Sequence, residues 1–368
     1  MKKILIVSTV SRQFYLFEQG NIEVLKSLGY EIHAAANYSD ANNERLDSLG
    51  IIRHHFDIDR SPLSLKNFKA YSQLKKIMKS EHFDAVHCHS PMGGVLVRLA
   101  AKVLGISTVI YTAHGFHFYK GAPIINWLIY YPVERFLSKY TDFLITINKE
   151  DYLRAKKFKA KQVFYVPGIG VDTNKIRQVS INKFKKRQEL GIPKDTVVLL
   201  SVGEMIKRKN HETALRALAR VDNTDFIYLI CGRGKLESYL KKLSKEYNID
   251  SKVSFLGYRD DIHEICTIAD LFIFPSYQEG LPVSVMEAMA SGLPIICSDI
   301  RGNNDLIEDG KGGYLINPKD VRGLSYYVKF LIDNPKLRKK MGAYNLSNIK
   351  KFDKEVVKES MLAIYKKI

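Results

Sequence analysis

The sequence predicts an α/β protein of two doubly wound, Rossmann-like domains. Three observations carry this. Short apolar runs alternate with stretches of helical spacing, the pattern of a parallel sheet whose crossovers are helices. The runs are continuously apolar, as strands are when helices cover both faces. The series also starts twice, at ILIVST (4–9) and at TVVLLSVG (196–203). The chain has 368 residues, about two domains' worth at roughly 150 residues each.

In order, ILIVST reads as a first buried strand. FYLFEQGNIEVLKSLG has helical spacing and stops at Gly29, a residue suited to a helix C-terminus. EIHAAA, a helix over 64–80, DAVHCH, a helix around 93–104, TVIYTAH, a helix around 124–138, FLITI and a helix from Lys149 follow, and VFYVPGIGVD ends this half. The second half runs TVVLLSVG, a helix over 211–221, FIYLICG, a helix over 235–246, VSFLG, ADLFIFPS, a helix after Pro282, and PIICSD. The expected division is 1–175 and 176–351, joined near 170–190, with a closing helix at about 352–368 packed back on the first domain. Ligands of doubly wound sheets bind at the carboxyl ends of the strands, so the loops that follow strands hold the candidate residues.

The totals narrow the function classes. No apolar stretch approaches the roughly 18 to 20 residues of a membrane span. MKKILIVSTV turns polar at once with SRQ and has no small-residue cleavage site, so it reads as a strand and not as a signal peptide. Cys88, Cys231, Cys266 and Cys297 lack paired spacing, which fits buried thiols in a reducing cytoplasm. The net charge is +18. It is spread evenly, with 24 Lys/Arg against 15 Asp/Glu up to Lys175 and 33 against 24 after it. With no basic arm and no aromatic-basic stacking motif, nucleic acid is not an expected partner; a solvated basic surface and an anionic membrane surface both fit.

The stretch SYQEGLPVSVMEAMASGLPI (276–295) carries the most chemistry. FIFPSYQEGLP runs from a strand into a turn, and Pro282 suits the first position of a helix. The free N–H groups of Leu281, Pro282's neighbour Val283 and Ser284 then make a helix N-terminus, a ready phosphate site. Glu287 lies four residues past Val283, roughly 6 Å along the helix, about the reach from a diphosphate to a ribose. A carboxylate there repels phosphate but accepts hydrogen bonds from vicinal hydroxyls. Glu279, on the other side, is placed to hold the hydroxyls of a sugar on the diphosphate. The blander reading is a capped helix with a solvated Glu287.

This stretch resembles glycosyltransferase family 4, whose hallmark is a Glu, seven residues and a second Glu, with Gly-Leu-Pro after the first. VHCHSPMGGVLVRLAAK (86–102), YTAHGFHFYKGAP (111–123), LITINKEDY (144–152), PGIGVD (167–172), GEMIKRKNH (203–211) and FLGYRDDI (255–262) resemble its bacterial capsule and exopolysaccharide branch, in order and over nearly the whole chain. The resemblance implies a GT-B fold, two Rossmann-like domains facing across a cleft. It implies a retaining hexosyltransferase that takes a hexose or N-acetylhexosamine from a nucleotide-sugar, UDP in this branch. The acceptor is a lipid-linked saccharide, on polyprenyl diphosphate, held by the N-terminal domain. No essential metal and no cofactor are expected.

The same resemblance assigns residues. Glu279 and the backbone of Gly280, Leu281, Pro282 and Val283 hold donor sugar and diphosphate, and Glu287 binds ribose. Lys209 and Arg208, beyond Gly203, neutralise the diphosphate and the charge of the leaving group. His114 faces the donor sugar, and Tyr258 and Arg259 cover the base. Two departures stand out. Glu204 occupies the place of an arginine common after the glycine, with Arg208 or Arg12 as substitutes. Thr9-Val10-Ser11-Arg12 stands where many members carry a glycine pair.

Three further features stay open at this point. His87 and His89 share a strand face, but two ligands do not make a metal site, so none is expected. Asp260-Asp261 reads as a helix N-cap. IINWLIYYPVERFLSKY (124–140), with Lys120, Arg135 and Lys139 nearby, fits a core helix or a peripheral contact with the inner face of the cell membrane. The competing functions are a nucleotide-sugar epimerase on the same architecture and a non-catalytic basic binding module.

Overall fold

The computed structural model describes residues 1–39, 41–222 and 224–368. The chain divides into two units, Met1–Gly170 with Lys354–Ile368, and Val171–Asp353. The division falls five residues before the expected 175/176. Val171 already donates its N–H to the Phe352 carbonyl at 3.0 Å, and Thr173 Oγ1 donates to Asp353 at 2.5 Å, so both strands of the connection belong to the second unit.

Among the described residues the first unit holds seven strands: β1 (Lys3–Val10), β2 (Glu31–Asn37), β3 (Ile52–His55), β4 (Ala85–His89), β5 (Thr108–Ala113), β6 (Phe143–Thr146) and β7 (Gln162–Tyr165). Their order is β3-β2-β1-β4-β5-β6-β7, and neighbouring strands pair in parallel. Side chains alternate across β1. Leu5 and Val7 enter one core with the helices Lys66–Glu81 and Pro91–Leu104, while Ile4 and Ile6 enter the other with Gln19–Ser27 and the last helix. That last helix, Lys354–Tyr365, buries Val357, Met361, Ile364 and Tyr365, and Tyr365 Oη lies 2.9 Å from His87 Nδ1.

The second unit holds β8 (Val197–Val202), β9 (Phe226–Cys231), β10 (Val253–Gly257), β11 (Leu271–Phe274), β12 (Ile295–Ser298) and β13 (Gly313–Ile316). The order is β10-β9-β8-β11-β12-β13, again parallel. Counted within the unit this is 3-2-1-4-5-6, the dinucleotide-binding order. Its crevice opens where the order reverses, at the carboxyl ends of β8 and β11. The corresponding point of the first unit lies between β1 and β4. There Ser90, directly after β4, adopts φ 65 and ψ 152, a region that glycine alone tolerates without strain.

The sequence reading missed β3, β13 and the helices Val321–Asp333 and Pro335–Asn348. It also ran one helix through residues 14–29, where the chain forms Arg12–Phe17 and Gln19–Ser27 with Glu18 at the break. Glu18 is almost fully buried, and the break is where it turns inward. All four cysteines are buried and free. Among the described residues no helix is long and apolar enough to cross a membrane.

Candidate functional site

At the reversal point of the second unit, the loops after β8 and β11 are stitched together. The backbone N–H of Tyr277 donates to the Arg208 carbonyl at 2.8 Å, and Arg208 Nη1 donates to the Gln278 carbonyl at 2.8 Å. Asn210 takes a left-handed conformation (φ 58) and its side-chain amide donates to the Pro275 and Pro318 carbonyls, both at 2.8 Å. Gly203 leaves room beside β8 for the Lys209 stem, which passes 3.4 Å from where a Cβ would sit.

These loops bring three expected residues onto one atom. Glu279 Oε1 accepts from Lys209 Nζ at 2.8 Å and faces Arg208 Nη1 at 2.8 Å. Glu279 is buried, so the carboxylate depends on those cations for its charge balance. Burial pushes the Lys209 ammonium below its ordinary value, and Glu279 works against that shift. Lys209 Nζ also lies 4.6 Å from the centre of the Phe274 ring.

Gly280, Leu281 and Pro282 form the turn that follows. The helix begins at Val283, with Pro282 as N-cap and not as its first helical residue. Proline offers no side-chain cap, so the first N–H groups of Val283–Ala290 are left for a ligand. Behind the turn, Gly302 (φ +83) approaches so closely that a Cβ would lie 2.3 Å from the Gly280 carbonyl oxygen. Beside it the buried Arg301 donates from Nε to the Glu279 carbonyl at 3.1 Å. Arg301 was not foreseen, since nothing in its own loop distinguishes it from a surface arginine.

Glu287 sits one turn into the helix and is partly exposed. His263 Nε2 lies 3.2 Å from its Oε1, a second partner that the sequence did not reveal. Tyr258 is exposed. Arg259 is not free to cover a base: Nε and Nη2 clamp Asp261 at 2.7 and 2.5 Å, and Nη2 reaches Glu189 at 3.1 Å. Asp261 occupies the N-cap position of Ile262–Ile268 but makes no cap hydrogen bond. Its carboxylate is drawn to Arg259 and Lys186, and Arg259 is the main reason it lies well below the usual carboxylate range. Glu204 is exposed at the end of β8.

His114 lies in the first unit, just past β5, at the front of a buried polar group. Its Nε2 is 3.0 Å from His89 Nδ1 and 3.4 Å from Gln13 Nε2. His89 Nδ1 is also 3.2 Å from Glu18 Oε1. Gln13 Nε2 and Asn21 Nδ2 donate to Glu18 at 2.9 and 2.6 Å. Burial pushes Glu18 up to about 7 and His114 down to about 4. His89 Nε2 meets no partner among the described residues, so the proton of neutral His89 belongs on Nδ1, directed at Glu18 and His114. His114 Nε2 then accepts, and its own proton sits on Nδ1.

His87 and His89 do share a strand face, with ring centroids 4.2 Å apart, but their hydrogen bonds diverge. His87 turns to Tyr365 and Thr112, at 2.9 and 2.8 Å, while His89 joins His114 and Glu18. Glu18, His89 and His114 each bring a ligand atom within 4.8 Å of the others, close enough to hold a metal ion, as do His33, His54 and Glu81. In the second group Lys3 Nζ already stands as the cation, 3.0 Å from Glu81 and 3.4 Å from Glu31.

The helix Ile124–Leu137 settles as both core and surface. Trp127, Tyr130 and Tyr131 pack on the first unit's core, and Glu134 is buried against Arg98 at 2.9 Å. Ile124, Ile125, Leu128, Ile129, Val133 and Phe136 face outward.

Comparison with known proteins agrees with the two-unit fold. The family described as Glycosyl transferases group 1 matches residues 182–347, and Glycosyl transferase 4-like matches residues 3–148. EpsD of Bacillus subtilis (strain 168), a protein whose name assigns it provisionally to the glycosyltransferases, is 37% identical over 99% of this chain and 96% of its own. The Escherichia coli UDP-Gal:alpha-D-GlcNAc-diphosphoundecaprenol alpha-1,3-galactosyltransferase is 33% identical over 70% of this chain and 68% of its own. Among solved structures, Anabaena HepE in complex with UDP and glucose covers all of both chains with a TM-score of 0.82 at 18% identity.

Proposed function

The chain belongs to the group 1 glycosyl transferases, with the GT-B fold, and is a glycosyltransferase; from that premise we propose that it moves a hexose or N-acetylhexosamine from a UDP-sugar to a saccharide on polyprenyl diphosphate. The observation that carries the donor half is Glu279 holding Lys209 and Arg208 together at the β8/β11 crevice, beside an uncapped helix N-terminus with Glu287 one turn along. Two cations, open N–H groups and a carboxylate beyond them match a diphosphate followed by a ribose. The E. coli relative, named for UDP-Gal and a diphosphoundecaprenol acceptor, supports both the nucleotide and the lipid-linked acceptor.

In this reading the donor's diphosphate displaces Glu279 from its cations. The freed carboxylate then takes hydroxyls of the transferred sugar. Cleavage of the sugar–phosphate bond places new negative charge on the diphosphate, where Lys209 and Arg208 are already fixed, so they stabilise the transition state more than the ground state. No metal is given a role, and activity is expected to survive chelation with EDTA. His114, neutral and protonated on Nδ1, donates to a sugar hydroxyl. Transfer retains the anomeric configuration by same-face attack, the leaving phosphate taking the acceptor's proton. A glycosyl-enzyme trapped on a carboxylate would overturn that step. The exposed apolar face of Ile124–Leu137, next to Arg135 and Lys139, rests on an anionic membrane surface, where lipid-linked acceptors are presented.

The test is thermal stabilisation by UDP, GDP, ADP and a panel of UDP-sugars, with Glu287→Ala as control. UDP and one UDP-sugar are expected to raise the melting temperature. The Glu287→Ala chain should bind UDP roughly 10- to 150-fold more weakly, the scale of about 1.5–3 kcal/mol for hydrogen bonds to a charged group. Equal UDP affinity in both removes Glu287 from the ribose, and no response to any nucleotide removes the donor site.

A further inference from the structure

The first unit carries a cavity of about 840 Å³ that the donor chemistry does not use. It opens at the carboxyl ends of β1 and β2 and behind β3, the side of a doubly wound sheet on which ligands bind. Arg12, Arg60, Lys66 and Lys69 line it, together with Asp57 and Asp59. The two carboxylates are already engaged. Asp57 faces Lys69 at 2.8 Å, His55 at 3.1 Å and Gln73 at 3.1 Å, and Lys69 is the main reason its carboxyl lies well below the usual range. Asp59 accepts from the Ser61 N–H at 2.9 Å. Arg12, Arg60 and Lys66 are in no ion pair among the described residues, Lys66 feels the charge of Asp59, and the four cations of the lining outnumber its two carboxylates.

The same segment carries three strongly exposed apolar side chains. Leu63, Leu65 and Phe68 are 90%, 79% and 76% exposed, and in sequence they lie between Arg60 and Lys69. Aliphatic side chains standing in water beside a surplus of positive charge fit a ligand that is an anion at one end and a hydrocarbon at the other. A nucleic acid would want stacking rings, and only Phe68 of the three has one.

We propose that this cavity is the site for the diphosphate of a prenyl-diphosphate-linked acceptor, with Arg12, Arg60 and Lys66 on the phosphates and Leu63, Leu65 and Phe68 against the prenyl chain. The inference rests on the lipid-linked acceptor proposed above and adds the residues that recognise it. Arg12 thereby serves the acceptor's diphosphate and not the donor's.

The experiment measures binding of farnesyl diphosphate, farnesol and inorganic pyrophosphate to the full chain by calorimetry. The proteins are the wild type, the Arg60→Ala/Lys66→Ala pair and the Leu63→Ser/Leu65→Ser/Phe68→Ser triple, all changes at exposed positions. Farnesyl diphosphate should bind the wild type at least tenfold more tightly than pyrophosphate or farnesol. The Ala pair should weaken farnesyl diphosphate tenfold or more, the Ser triple should weaken it without affecting pyrophosphate, and UDP affinity should stay unchanged in both. Farnesyl diphosphate binding that ignores the Ala pair, or that is no tighter than pyrophosphate, overturns the proposal. So does a pair that loses phosphatidylglycerol vesicles but keeps farnesyl diphosphate, since the cations would then serve lipid headgroups. Failure of UDP to bind the wild type would sink the donor reading, and it is read separately.

Discussion

In the proposed donor site Glu279, which holds Lys209 and Arg208 in the free protein, gives up both cations to the incoming diphosphate, and Glu279→Gln tests this. The variant leaves Lys209, 13% exposed, without its counter-charge, while Arg208, 39% exposed, turns to water. Removing one partner of a buried ion pair costs about 3–5 kcal/mol, and the exposed arginine lowers this to about 2–3 kcal/mol. In a unit of this size, residues 171–353, each kcal/mol moves the melting temperature by about 2–4 °C, so a fall of about 4–12 °C is expected. UDP then supplies the missing charge. If half of the loss returns on binding, UDP affinity rises about tenfold, and its stabilisation at a fixed saturating concentration grows by about 1.4 kcal/mol. That adds about 3–6 °C to the UDP-induced shift, although sugar transfer itself falls because the sugar has lost its carboxylate. The assay is a melting curve for wild type and Glu279→Gln with and without UDP, repeated at high salt, where the added shift should shrink. A UDP-induced shift that is equal or smaller in the variant refutes the competition, and with it the assignment of Lys209 and Arg208 to the diphosphate.

Three further predictions follow from separate features. Lys209→Ala should lower turnover about 100-fold or more while weakening the intact donor far less, because its charge matters most as the diphosphate departs; wild-type turnover in initial-rate kinetics would end that role. Glu18, pushed up to about 7 by burial, binds a proton in the folded chain that the unfolded chain releases near 4.5. Its contribution to stability is therefore present below about pH 4.5 and lost as the pH rises through about 7, a change on the order of 3 kcal/mol. Glu18→Gln should remove that slope, so its gain over wild type in urea midpoint grows from pH 5 to pH 8; a constant difference would show that Glu18 does not titrate there. His114, held near 4, pulls the other way in both proteins and cancels in the comparison. Gly302→Ala should lower both stability and UDP affinity, since a Cβ 2.3 Å from the Gly280 oxygen at φ +83 forces the Glu279 turn to move; an unchanged melting temperature would contradict this.

The parts of the fold legible in the sequence were those whose pattern is set by burial on both faces. β1, β4, β5, β8, β9 and β11 are apolar runs because helices cover both sides, and such runs announce themselves. β3 was hidden because Ile-Arg-His-His sits at an edge and is mostly exposed, so no apolar period exists to read. β13 was hidden because it has four residues and opens on Gly313, whose close approach to the Ile295 carbonyl leaves no room for a side chain. The break at Glu18 was hidden for a different reason. Its residue type fits an exposed helix face, and only the burial of its carboxylate shows that the helix must stop.

The same division runs through the site. Glu279, Gly280, Leu281, Pro282 and Glu287 lie on one continuous segment, so their spacing carried the geometry before any coordinates did. Arg301, His263 and the Glu18–His89–His114 group depend on contacts between segments 22 to 71 positions apart, and local spacing says nothing of these. Arg259 shows the converse case. A cation after a glycine loop looks free in the sequence, but Asp261 two residues on and Glu189 seventy residues back take up its donors. A local motif therefore identifies where charge is available. Whether the charge is free to meet a ligand is decided by the acids that fold beside it. Lys209 and Arg208 differ from Arg259 in that their shared carboxylate lies beside a helix N-terminus with no side-chain cap, which is why the diphosphate is proposed to bind them.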